Sequence, residues 1–104
     1  MIIVTTDFIT GRELETIGLV KGSCVQTVHL GKDIFNSFKT LVGGELTSYT
    51  KMMDESREIA TERMIAEAQQ MRANAIICVR YTTSNVAQNA AETTVFGTAV
   101  RFKN

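Results

Sequence analysis

Three side chains in this 104-residue sequence offer the chemistry of a nucleophile or a soft-metal ligand: Cys24, His29 and Cys78. His29 is the only histidine, so a thiolate–imidazole pair would need one of the cysteines beside it. Cys24 and His29 are five positions apart, and on a regular strand an odd offset places them on opposite faces unless a bulge realigns them. Gly-x-Ser-x-Gly does not occur, which removes the nucleophile-elbow template. Metal binding is the sharper chemical reading. A zinc-type site takes three or four nitrogen and sulfur ligands, and Cys24, His29 and Cys78 supply three from two distant segments whose strands would have to meet. No Cys-x-x-Cys and no histidine pair at i, i+4 marks a self-contained site. Subunits of an oligomer would each contribute ligands that spacing in one chain does not reveal.

Other constellations have plainer readings. Met52, Met53, Met64 and Met71 could hold copper(I) or line a pliable groove, but they share a helical stripe with Leu46, Tyr49 and Ala60, which is the pattern of a core. Glu55, Glu58 and Glu62 recur at i, i+3 and i+7 and read as a solvated helix face. Gly43-Gly44-Glu45 resembles an anion cradle only in its glycines; no Lys-Ser/Thr follows, so it reads as a turn between helices.

The elements that must position these residues follow from periodicity. Ile2 to Thr5 predicts a short strand. Glu15 to Val20 and Ser23 to His29 predict two strands around a turn at Lys21-Gly22, or one long strand bent at a bulge. Ile34, Phe35, Phe38, Leu41 and Val42 then take helical spacing, with Asp33 as N-cap. A longer helical pattern runs from Leu46 to Arg72, its inner stripe being Leu46, Tyr49, Met53, Ala60, Met64, Ala68 and Met71 and its left-handed C-cap Asn74. Ala75 to Thr83 and Glu92 to Phe102 predict a β-hairpin with a polar connection from Ser84 to Ala91, and Gly97 marks a bulge or close approach. The order β, β, short α, long α, β, β predicts one α+β domain over residues 1–104, an antiparallel sheet covered by helices on one side.

Composition bounds the function. Lys plus Arg and Asp plus Glu each number 11, and this zero net charge argues against a nucleic-acid partner held through phosphates. The N-terminal apolar run lacks a basic flank and is short, and no window spans a bilayer, so neither export nor a membrane partner is predicted. The expected compartment is the cytoplasm, with both thiols free. The strands carry the remaining clue. Thr94, Phe96, Thr98, Val100 and Phe102 alternate with Val95, Gly97 and Ala99, and Ile76 and Cys78 with Ile77, Val79 and Tyr81. Both faces are apolar, yet one long and one short helix cover only one of them. The second face predicts a homo-oligomer.

With these segments placed, the chain resembles the YbjQ-like family, a poorly characterised bacterial and archaeal group whose label is heavy-metal binding. The residues that carry the resemblance run nearly end to end: Val4-Thr5-Thr6, Leu30 to Ile34, Leu41 to Glu45, Tyr49, Glu55 to Ala60, Ala73 to Ile77, Val79-Arg80-Tyr81 and Phe96 to Val100. The resemblance implies a dodecin-like subunit with a β-α-β-β core, assembled as a homopentamer. It supplies no catalytic residue and no ligand set. Two positions depart from the family pattern: Arg72 stands where glycine commonly precedes Ala-Asn-Ala, and Cys78 where Ile-Ile-Gly is common. The expectation is therefore a non-enzymatic, homopentameric binding protein with a heavy-metal or transition-metal ion as nominal ligand and Cys24, His29 and Cys78 as its candidate ligands. Two alternatives stand beside it. One is an enzyme with a site between subunits, using Glu58, Arg57 or Tyr49 of one chain and His29 of the next. The other is a scaffold that binds another protein along the long helix.

Overall fold

The computed structural model describes residues 1–27, 47–87 and 90–104. Among them run β1 (Ile2–Ile3), β2 (Leu14–Thr27), α1 (Thr47–Gln70), β3 (Ala75–Ala87) and β4 (Ala90–Phe102). The sheet order is β1-β3-β4-β2, with β1 parallel to β3 and the two larger pairings antiparallel. This is an α+β fold, a mixed four-stranded sheet with one described helix packed chiefly over β2 and β4. The short helix expected around Ile34 to Val42, the Asp33 cap, the Gly43-Gly44 turn and His29 lie outside the described residues.

β2 is one long strand with a bulge, the second of the two forms the sequence allowed. Its β-branched residues stay paired with β4 from Leu14 to Thr27, and the only irregularity falls between Thr16 and Gly18, which leaves Ile17 as a bulged residue. Lys21-Gly22 makes no turn, because Gly22 serves a different purpose. A Cβ there would run into the carbonyl of Ala60 and the amide of Met64, so the missing side chain lets α1 lie directly on the strand. Beside this contact the Lys21 amide donates to Glu67 Oε1 at 3.3 Å, and the Arg63 guanidinium donates to the Ser23 carbonyl.

The inner stripe of α1 is buried at Ser56, Ala60, Met64 and Ala68, with Tyr49, Met53 and Met71 half-buried at its ends. Its C-terminus closes as a Schellman motif around Arg72, not at Asn74. Ala73 N–H donates to the Ala68 carbonyl and Arg72 N–H to that of Gln69, each at 3.0 Å, while Arg72 takes φ 59°. Arg101 adds its guanidinium to the freed carbonyls of Met71 and Arg72. Asn74 instead leads into β3: its amide donates to the Val100 carbonyl, and its side-chain oxygen accepts from Phe102 N–H at 2.7 Å. Asparagine tolerates either role, and the Val100–Phe102 backbone outcompetes the helix end for it.

The hairpin connection is shorter than its polarity suggested. Ser84 pairs with Glu92, Asn85 with Ala91 and Ala87 with Ala90, so the polar stretch is itself strand. Backbone pairing carries it, because its β3 residues are exposed and have no core to fill. A second correction concerns which side chains share a face. Between Ile77 and Arg80 the β3 ladder slips by one residue opposite Gly97, with Cys78 at φ 56°. The bulge sits on β3, and Gly97 is the close approach facing it, since a Cβ there would press on Ile76 and the Ile77 carbonyl. Ile76 and Val79 therefore face α1 together, while Ile77 packs away from it with Cys78 against its side.

Two apolar clusters result. Under α1 lie Val20, Cys24, Ala60, Met64, Ala68, Ile76, Val79, Val95 and Ala99. On the other face Ala75, Ile77 and Val100 are covered by Val4 and Ile9 of the N-terminal segment and by Leu14 at the start of β2, with Cys78 and Phe102 at the border. That segment is pinned to the bulge, where Cys78 N–H donates to the Thr6 carbonyl and Val79 N–H to that of Val4. At its other end Arg12 stacks on Phe102, 4.5 Å from the ring centroid. The described residues extend 55 × 26 × 16 Å.

Arg72 and Cys78, the two positions where the sequence departs from the pattern it resembles, are thus the two non-glycine residues held at positive φ among the described residues. L-residues strain there where glycine does not. Arg72→Gly is expected to raise stability by about 0.5–1 kcal/mol, the relieved strain exceeding the added freedom of the unfolded chain. Urea unfolding would register this as a higher midpoint. A lower one would mean that the Arg72 side chain holds the helix end by contacts that outweigh its strain.

Candidate functional site

The fold separates the two cysteines. Cys24 is buried on β2 under α1, in register with Thr93 of β4. Cys78 is half-buried in the β3 bulge and packs against the cluster on the opposite face, level with Gly97. Four residue steps along β4, from Thr93 to Gly97, also separate their levels, about 13 Å along a strand. Both are free thiols, and within one chain they do not share a site. His29 lies outside the described residues. Among the described residues no three His, Cys, Asp or Glu side chains gather as a metal-ligand group.

Around Cys24 the structure gathers polar groups that periodicity did not single out. Ser56 and Thr93 are each 1% exposed. Cys24, Thr93 and Thr83 are paired across three neighbouring strands on the helix side of the sheet. The Thr93 hydroxyl is buried and has no hydrogen-bond partner among the described residues. Ser56 completes the helix stripe between Met53 and Ala60, a position that an apolar count passes over because its side chain is polar. Thr93→Val keeps the shape and removes the orphaned hydroxyl. It is expected to stabilise the fold by about 1–2 kcal/mol, read as a raised denaturation midpoint; destabilisation would show that the hydroxyl is satisfied in solution.

The outward sheet face has a different character. Lys21 of β2 and Arg80 of β3 are both register partners of Phe96 on β4, which makes a cation–aromatic–cation row. Leu19, Thr98 and Ile77 form the next row, and Ser23, Thr94 and Thr82 the one beyond, where the Ser23 and Thr94 hydroxyls are 3.0 Å apart. Leu19 is 66% exposed and Val25 54%, so the N-terminal segment covers only the far end of this face. On the reverse side of the molecule Glu55, Glu58 and Glu62 stand exposed on α1. Among the described residues the only side-chain ion pair is Arg57–Asp54 at 2.9 Å, also on α1. Tyr49 is half-buried, and Arg57 and Glu58 are exposed.

A family model described as "Putative heavy-metal-binding" matches residues 1–103. The chain belongs to this family, the YbjQ-like proteins. Among YbjQ-like relatives, a UPF0145 protein of Alkaliphilus metalliredigens is 61% identical over 102 residues, covering 98% of this chain and 99% of its own. One of Clostridium novyi is 57% identical over 101 residues, covering 97% and 98%. One of Methanosarcina acetivorans is 50% identical over 105 residues, covering 100% and 99%. The crystal structure of a protein of unknown function from Pediococcus pentosaceus, of the DUF74 family, aligns with a TM-score of 0.74 at 17% identity, over 99% of this chain and 98% of that one. That likeness shows the fold. Nothing in these YbjQ-like relatives' names points to catalysis, and among the described residues no helix is long and apolar enough to cross a membrane.

Proposed function

We propose that the chain is the subunit of a non-enzymatic, homopentameric, dodecin-like binding protein of the cytoplasm whose ligand is a heavy-metal ion. The observation that carries this reading is the outward sheet face, where Leu19, Val25 and Phe96 are exposed together on three of the rows beyond the N-terminal segment. Covering such side chains is worth about 25 cal/mol for each Å2 removed from water, and another copy of the chain is the cover always present at matching concentration. The separation of Cys24 from Cys78 sets the form that the ligand half of the reading must take. One chain offers one thiol at a time, so a ligand set of three or four soft donors needs neighbouring subunits. Soft thiolates select zinc, cadmium and copper(I) over magnesium and calcium.

Light scattering on the eluting protein tests assembly: a mass near five times 11.5 kDa is expected, and 11.5 kDa itself would overturn it. Titration with zinc, cadmium and copper(I) tests the ligand. Stoichiometric binding that Cys24→Ser or Cys78→Ser weakens at least tenfold is expected; binding unchanged by both substitutions would make the thiols packing residues.

A further inference from the structure

The outward sheet face and the outer face of α1 lie on opposite sides of the same two-layer molecule, and their chemistry is complementary. We propose that they dock on each other between copies, the sheet face of one chain receiving α1 of the next, with Lys21 and Arg80 meeting the Glu55–Glu58–Glu62 row. This rests on the self-assembly proposed above and names the two surfaces that perform it.

Three observations converge. The first is charge. The central row of the sheet face holds two cations and no acid, the nearest carboxylate by register among the described residues of that face being Glu92 two rows further on, while the outer pole of α1 carries three exposed carboxylates and Lys51. Like faces would repel, whereas unlike faces attract and fix orientation. The second is spacing. Lys21 and Arg80 sit two strand intervals apart, about 10 Å, and Glu55 and Glu62 sit seven helical residues apart, also about 10 Å. The third is apolar content. Leu19 and Phe96 flank the cations on the sheet, and the exposed edges of Ile59 and Ile65, which otherwise pack against the inner cluster, border the carboxylates on the helix, so the ion pairs would be partly desolvated against hydrocarbon. Two different surfaces on opposite sides make a head-to-tail contact, which generates a ring when the rotation closes. A self-matching dimer through the sheet face alone would leave the helix carboxylates unused.

The test reverses each side separately and then both together. Lys21→Glu with Arg80→Glu, and Glu55→Lys with Glu58→Lys and Glu62→Lys, are each expected to lower the mass by light scattering to that of single chains. The five substitutions combined restore the complementarity in reversed sense and are expected to restore the wild-type mass. Far-UV circular dichroism must show a folded chain for each. Arg80 also donates to the Thr5 carbonyl, so Lys21→Glu alone serves as the milder sheet-side variant, with a loss of at least tenfold in association expected. A wild-type assembly whose mass ignores both reversals would overturn the surfaces while leaving self-assembly standing. A wild-type monomer would overturn both. Failure of the combined variant to reassemble, with both single-side variants dissociated and folded, would overturn the pairing of these charges.

Discussion

Gly22→Ala is expected to lower the thermal unfolding midpoint by about 15 °C, the largest loss from an alanine at any of the glycines among the described residues. The added Cβ meets the Ala60 carbonyl and the Met64 amide, and these are backbone groups that no rotamer change moves aside. Either α1 rises off β2 or the strand bends away. Both movements stretch the Lys21–Glu67 and Arg63–Ser23 hydrogen bonds and open the cluster around Val20 and Cys24. Overpacking of this kind costs about 3 kcal/mol, and in a domain of this size each kcal/mol moves the midpoint by about 4–8 °C. Circular dichroism during a thermal ramp measures it directly. Ser23→Ala, at an exposed neighbouring position, is the control and is expected to shift the midpoint by only a few degrees. A Gly22→Ala protein that melts with the wild type would mean that α1 is not seated on β2 in solution.

Met64→Ala is expected to cost about 3 kcal/mol. Met64 heads the largest fully buried side chains, and it lies in the cluster where α1, β2, β3 and β4 meet. Truncation removes buried apolar surface and leaves a cavity that the neighbouring Val20, Ile76 and Val95 fill only in part. Met64→Leu keeps most of the volume and is expected to cost under about 1.5 kcal/mol. Urea titration separates the two through their midpoints, and an unchanged slope would place the effect in the native core rather than in the unfolded chain. Equal losses for Ala and Leu would indicate a specific need for the thioether.

Where a segment's pattern is set by one neighbour, the sequence was easy to read. α1 is the clearest case. Its stripe from Ala60 through Met64 to Ala68 faces a single sheet, so a 3.6-residue period survives intact. The alternation of β4 also holds, because both of its edges are paired and no residue is inserted. Reading failed where a contact distant in sequence decides the local shape. Gly22 looked like a turn because glycine is used for turns and for close approach alike, and only the position of Ala60 tells which. Arg72 hid a helix end behind a residue that rarely takes a left-handed conformation, while Asn74, two places on, carried the more familiar signal. In β3 the insertion at Cys78 exchanged the faces of everything beyond it, so Val79 and Tyr81 were grouped correctly with each other and wrongly with Ile77.

The candidate ligands show the same boundary. Cys24 and Cys78 were legible as residue types, but their separation onto two faces depends on strand order and on the bulge, neither of which spacing encodes. Thr93 and Lys21 carried no signal of their own. One became conspicuous through burial, the other through its register with Phe96 and Arg80.

The elongated shape has a practical bearing on how this protein behaves in flow. A compact chain of this length has a radius of gyration of about 13 Å, whereas the described residues give 17.2 Å, because β2, β3 and β4 run on past the part of the sheet that α1 covers. A single chain would therefore tumble and diffuse like a considerably heavier sphere. Elution volume or a diffusion coefficient calibrated on compact standards would overstate the mass of a subunit with this outline, and only a measurement of mass itself counts its copies.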